Sequence, residues 1–151
     1  MTSTLDRQQQ NDSLVAQRFS MSGRRALVTG GSPGIGREVA LAFAEAGADV
    51  AVQYLEEVDA GFGYPSAAAA VADDVAQRGR QCALIEADFP VPGEAARCVS
   101  QTRSALGGLD VLVVCASIQY RTPFADVTEE QMDRQYQVNF KATVELLQAA
   151  L

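Results

Sequence analysis

The chain has 151 residues, 12 Lys+Arg against 19 Asp+Glu and a formal net charge of -7, so it offers no basic patch for nucleic acid or an anionic membrane. It contains no His, which removes Ser-His-Asp and Cys-His nucleophile systems and any His-ligated metal site. It has a single lysine, Lys141, so any chemistry that pairs a residue with lysine must use that one.

The length suits one domain, and 48% hydrophobic with 21% charged residues reads as globular. Residues 1–20 are polar and Gln-rich without sustained period, and are expected to form a flexible tail ahead of a domain at 21–151; Met21 offers an alternative start. Ala26–Thr29 reads as a short buried strand. Gly34 to Gly47 reads as a helix, with Ile35, Val39, Phe43 and Ala46 as its apolar stripe. A second strand follows at Val50–Tyr54, then a long loop from Leu55 to Pro65. Ser66 is placed to cap an Ala-rich helix that Gly79 stops. Gln81–Ala87 is a third strand, Glu94–Leu106 a third helix, and Leu109–Cys115 a fourth strand. Thr128 with Gln131 forms a capping box for a last helix toward Leu151, striped by Met132, Tyr136, Phe140, Val144, Leu147 and Leu151.

Apolar strands that alternate with helices imply a parallel sheet covered on both faces, an α/β doubly wound fold of Rossmann type with four strands. No window reaches 18 uninterrupted apolar residues, and the N-terminus lacks an apolar signal core. The cysteines (Cys82, Cys98, Cys115) are odd in number and form no C-x-x-C, which reads as small packing residues in a reducing cytoplasm. No metal-ligand cluster is expected.

The informative segment is Thr29 to Gly36, Thr-Gly-Gly-Ser-Pro-Gly-Ile-Gly, between a strand and a helix. Free N–H groups and the positive dipole end at a helix N-terminus suit a phosphate diester, and glycines let the backbone approach it. The spacing from Gly31 to Gly36 also matches a P-loop, but that motif continues with Lys and a hydroxyl residue. Here Arg37 and Glu38 follow, which argues against an NTPase.

With these residues on view, the sequence resembles the short-chain dehydrogenase/reductase family. Thr29–Gly36 matches its T-G-x-x-x-G-I-G cofactor fingerprint. Ala87-Asp88 is similar to its strand-end Asp, Gly108–Val113 resembles its fourth strand, and Val138-Asn139 resembles its V-N segment. The likeness runs from about Met21 to the last residue, and the longer segment Tyr54–Ala60 with Ser117–Gln119 resembles a subgroup with an extended second βα loop. It implies hydride transfer between NAD(P) and a small carbonyl or alcohol. It also implies cofactor contacts from Gly30, Ser32, Pro33, Gly34, Ile35, Gly36, Tyr54, Asp88, Phe89, Cys115 and Ala116, with Asn139 in the catalytic tetrad. The family's acid at the end of the second strand, which selects NAD, is replaced by Tyr54, and this leans the cofactor toward NADP.

Two departures stand out. Where the family has N-N-A-G, this chain has Val114-Cys115-Ala116-Ser117. The family's Tyr-x-x-x-Lys pair, in which Lys lowers the Tyr pKa toward neutrality, would need tyrosine at position 137, which is Gln137. Tyr136 falls on the apolar stripe and is expected to pack. The family's Ser and Tyr-Lys come after the helix that begins near Thr128. The expectation is therefore the N-terminal cofactor half of a longer oxidoreductase, with an inactive binding module or a non-functional truncated product as alternatives. The intact protein is expected to be cytoplasmic and homo-oligomeric, with a small-molecule substrate, and the last helix is expected to lack partners for its stripe.

Overall fold

The computed structural model describes residues 17–151, so the expected tail lies almost wholly outside the described residues. Four strands, β1 (Arg25–Thr29), β2 (Asp49–Tyr54), β3 (Cys82–Glu86) and β4 (Val111–Val114), form one sheet. All pairings are parallel and the order is β3-β2-β1-β4, with Leu27 level with both Ala51 and Leu112. The chain runs outward from β1 through β2 to β3, then returns to the other side of β1. This creates a switch point between β1 and β4, where doubly wound sheets place their ligands.

Alternate residues of each strand feed opposite faces, so there are two cores. One joins Val28, Val50 and Val52 to α1 (Gly34–Glu45) and α3 (Ala67–Gln77). The other joins Leu27, Ala51 and Ile85 to α4 (Glu94–Leu106) and to α6 (Ala142–Ala150). The remaining α-helices are α2 (Glu56–Gly61) and α5 (Glu129–Tyr136), with a 3-10 turn at Phe124–Asp126 and a π-turn over Gln137–Lys141 that links α5 to α6.

Four expectations are corrected. The segment after β2 is not all loop: Glu56, Glu57 and Asp59 occupy the first turn of α2, where acids suit the helix dipole, and six residues are too few to show a period. Ser66 does not cap α3 through its side chain; it sits at φ 60° and donates its backbone N–H to Glu56 at 2.9 Å. The buried face of α1 is Gly36, Ala40, Leu41 and Ala44, because small residues let the helix lie close to the sheet; Ile35 is 79% exposed. On the last helical stretch Val138, Ala142 and Leu146 face the core, while Met132, Tyr136, Phe140 and Leu147 are exposed, so Tyr136 does not pack into the core. The Thr128–Gln131 capping box forms as read.

Candidate functional site

Three short turns leave the C-terminal edge of the sheet and enclose a cavity of about 340 Å³ over the switch point. The first follows β1. Buried Thr29 accepts from the N–H of Cys115 at its carbonyl and from the N–H of Ala116 at its hydroxyl, each at 3.2 Å. Gly30 takes φ +59°, and a Cβ there would lie 2.9 Å from the Ala116 backbone. A Cβ on Gly36 would collide with the Gly30 carbonyl. By contrast, nothing lies within 4 Å of the Cβ position of Gly34, so space is open above the start of α1.

That helix start is prepared for an anion. Pro33 at the N-cap offers no side-chain acceptor, and no acid stands in the first turn. The first N–H groups and the positive dipole end are therefore left to whatever occupies the cavity. The glycines fit a pyrophosphate, since they hold a cradle that side chains would fill.

Gln53, 4% exposed at the end of β2, stitches the floor together. Its Oε1 accepts from Gly30 N–H at 2.9 Å, and its Nε2 donates to the carbonyls of Ala87 at 2.7 Å and Tyr54 at 3.1 Å. The second wall comes from α2. Val58 and Phe62 line it, and buried Asp59 accepts from the Ser32 hydroxyl at 2.5 Å. Burial raises the Asp59 pKa from its ordinary value, the Ser32 bond opposes this, and the Glu56 charge adds to it. Burial also raises the phenol of Tyr54, helped by the charges of Glu86, Glu56 and Asp59. Tyr54 is thus pushed away from the near-neutral range that acid–base work requires.

The third wall combines Ala87, Asp88 and Phe89 after β3 with Cys115–Ile118 after β4. Arg134 on α5 lines it too, 3.6 Å from the Asp88 carboxylate. Asn139 lies in the π-turn outside the cavity wall. Its Oδ1 accepts from Ile118 N–H and its Nδ2 donates to the Ile118 carbonyl, both at 2.9 Å, which pins the loop after β4.

Of the residues singled out from sequence, Gly30, Ser32, Pro33, Ile35, Gly36 and Tyr54 line the cavity, as do Asp88, Phe89, Cys115 and Ala116. Gly34 sits outside the wall, at the lip, as does Asn139, although Val138 beside it is on the wall. Sequence reasoning missed Gln53, Asp59 and Arg134. Asp59 lies in a six-residue helix too short to show a period, and for the other two polarity alone gives no signal. Lys141 pairs with Glu145 at 3.6 Å, and Tyr136 stacks on Phe140 with centroids 5.4 Å apart, so no Tyr–Lys pair stands at the cavity. The three cysteines are unbonded, and burial pushes Cys82 to about 11 and Cys98 to about 12, as expected of packing thiols. Among the described residues no cluster of His, Cys, Asp and Glu can hold a metal, and no helix is long and apolar enough to cross a membrane.

A family model described as short chain dehydrogenase matches residues 24–151. The chain belongs to the short-chain dehydrogenase family. It is 38% identical over 134 residues to the uncharacterized oxidoreductase YghA of Escherichia coli, covering 87% of this chain and 43% of that protein. It is 36% identical over 132 residues to general stress protein 39 of Bacillus subtilis, covering 87% and 44%. A short chain dehydrogenase from Burkholderia cenocepacia, solved in complex with NADP, superposes with a TM-score of 0.78 at 38% identity, covering 86% of this chain and 50% of that one. The chain thus spans about half the length of the family members it matches. The four-stranded Rossmann-like sheet is the part of the fold it shares with them.

Proposed function

We propose that this chain is the cofactor-binding part of an NAD(P)-dependent oxidoreductase acting on a small carbonyl or alcohol. The observation that carries the reading is the glycine turn, packed tight at Gly30 and Gly36 and open at Gly34, at an uncapped helix start beside the cavity at the β1/β4 switch. In this reading the start of α1 holds the pyrophosphate, Asp88 and Phe89 border the adenine, and Cys115 and Ala116 border the nicotinamide half. When bound, the cofactor would donate a hydride to a carbonyl or accept one from an alcohol. The role left to Asn139 is to position the loop at Ile118, its side chain being engaged there. The whole protein is read as cytoplasmic and self-associating, on the strength of three unbonded cysteines and the exposed stripe on α5 and α6.

Mixing the chain with NADH and with NADPH tests the binding reading. The nicotinamide fluorescence is expected to change with a saturable dependence, and no change for either at millimolar cofactor overturns it. A second reading, a binding module without activity of its own, is favoured by Gln137 standing where a tyrosine would have to precede Lys141. On cofactor choice, the lack of an acid at Tyr54 and the NADP held by the Burkholderia cenocepacia relative favour NADP. A carboxylate that reaches the same corner from α2 weighs on the other side.

A further inference from the structure

Dinucleotide sites of this architecture read the adenosine ribose at the end of β2, where a carboxylate accepts from the 2′-hydroxyl or a cation donates to the 2′-phosphate instead. In this chain β2 ends in Tyr54, which does neither. The insertion that follows changes the chemistry of that corner. Helix α2 turns the chain back so that Asp59, five positions on, meets Ser32 of the glycine loop at 2.5 Å. Both are buried, at 6% and 1% exposure, and both line the cavity.

The donors and acceptors there are unbalanced. The Ser32 hydroxyl directs its proton to Asp59 Oδ2, so its oxygen faces the cavity as an acceptor. No described residue donates to Asp59 Oδ1, and Glu56 and Glu86 add negative charge around Tyr54. The only cation among the described cavity-lining residues is Arg134, which pairs with Asp88 at 3.6 Å. Arg37, next along from the glycine loop, is held at 2.6 Å by both Glu38 and Asp74 and lies off the wall.

We propose that Asp59, with Ser32, is the cofactor-selecting acceptor of this chain, favouring the ribose diol of NAD over the 2′-phosphate of NADP. The assignment rests on the dinucleotide-site reading above and makes it specific. A ribose hydroxyl brings a donor to an acceptor pair that lacks one. A 2′-phosphate brings about -1.5 to -2 charge and only acceptors. The raised pKa of Asp59 agrees, since a buried carboxylate short of donors gains from a hydroxyl and loses from a second anion.

Isothermal titration of the chain with NAD and with NADP, at one pH and ionic strength, tests this. NAD is expected to bind at least about tenfold more tightly, the scale of one charge-assisted hydrogen bond gained or lost. Asp59→Asn is expected to narrow that ratio severalfold, mainly by tightening NADP. Glu57→Gln, which removes an exposed carboxylate from the same helix, is expected to leave the ratio within about twofold. The assignment to Asp59 is overturned if NADP binds as tightly as NAD in the unsubstituted chain, whether or not the variants fold. It is also overturned if Asp59→Asn leaves the ratio where it was, or if Glu57→Gln shifts it equally. In those cases the dinucleotide reading survives; binding of neither cofactor overturns both.

Discussion

At Gly36 a side chain has no free volume to enter, because the helix it belongs to lies against the Gly30 carbonyl. That contact fixes how deeply α1 sits on the sheet, and hence where its N-terminus points. Gly36→Ala must push the helix away from the loop. Overpacking of this kind costs about 1–3 kcal/mol. The expected result is a lower urea midpoint and at least about tenfold weaker dinucleotide binding, read by denaturation and by NADH fluorescence. Gln53 acts at the same scale through hydrogen bonds. One side chain satisfies a glycine-loop N–H and two carbonyls at the ends of β2 and β3, so the floor of the cavity is held from a single buried residue.

Among the elements, the β1–β4 junction is clamped at the end remote from the site. The Arg25 guanidinium donates to both oxygens of Asp110, at 2.8 and 3.0 Å, and to the Gly107 carbonyl at 2.7 Å. The Arg25 backbone N–H adds a further bond to Asp110 at 2.9 Å. These bonds pull the Asp110 pKa down to about 2. A carboxylate whose folded pKa lies below its unfolded value stabilises the fold above the unfolded pKa, near 3.9, and loses that contribution as pH falls toward 2. Asp59 has the opposite sign: its raised pKa makes its ionised form a cost, relieved on protonation. Thermal melts from pH 6 to pH 2 are therefore expected to show Asp110→Asn less stable than the unsubstituted chain at pH 6. The two curves should converge between about pH 4 and pH 2. Parallel curves would refute this assignment.

For the molecule as a whole, what the described residues leave uncovered matters as much as what they bury. β4 pairs with β1 alone, and all four of its residues are only partly buried although all are apolar. Met132, Tyr136 and Phe140, on successive turns, and Leu147 further along are each more than half exposed. Such a contiguous apolar stripe favours association. Light scattering is expected to show a species larger than a monomer, and Phe140→Asp is expected to shift it toward monomer. A sharp monomer that binds no apolar dye would contradict the expectation.

The alternation of short apolar strands with helices, the glycine loop and the capping box were all legible in the sequence, because each is a local pattern set by neighbours a few residues apart. Of the eleven cofactor contacts that the family resemblance implies, ten, Gly30 and Asp88 among them, line the cavity. The sequence likewise determined that no Tyr-x-x-x-Lys pair is present, since one lysine admits only one position to inspect. Tertiary structure alone decided which face of α1 and α6 is buried: Gly36, Ala40 and Ala142 win over larger apolar residues because the sheet accepts a close approach there. It alone brought Asp59 to Ser32, 27 positions apart, through a six-residue helix too short to leave a period. Periodicity records which residues share a side of an element; which side finds a surface to pack against depends on groups distant in the chain.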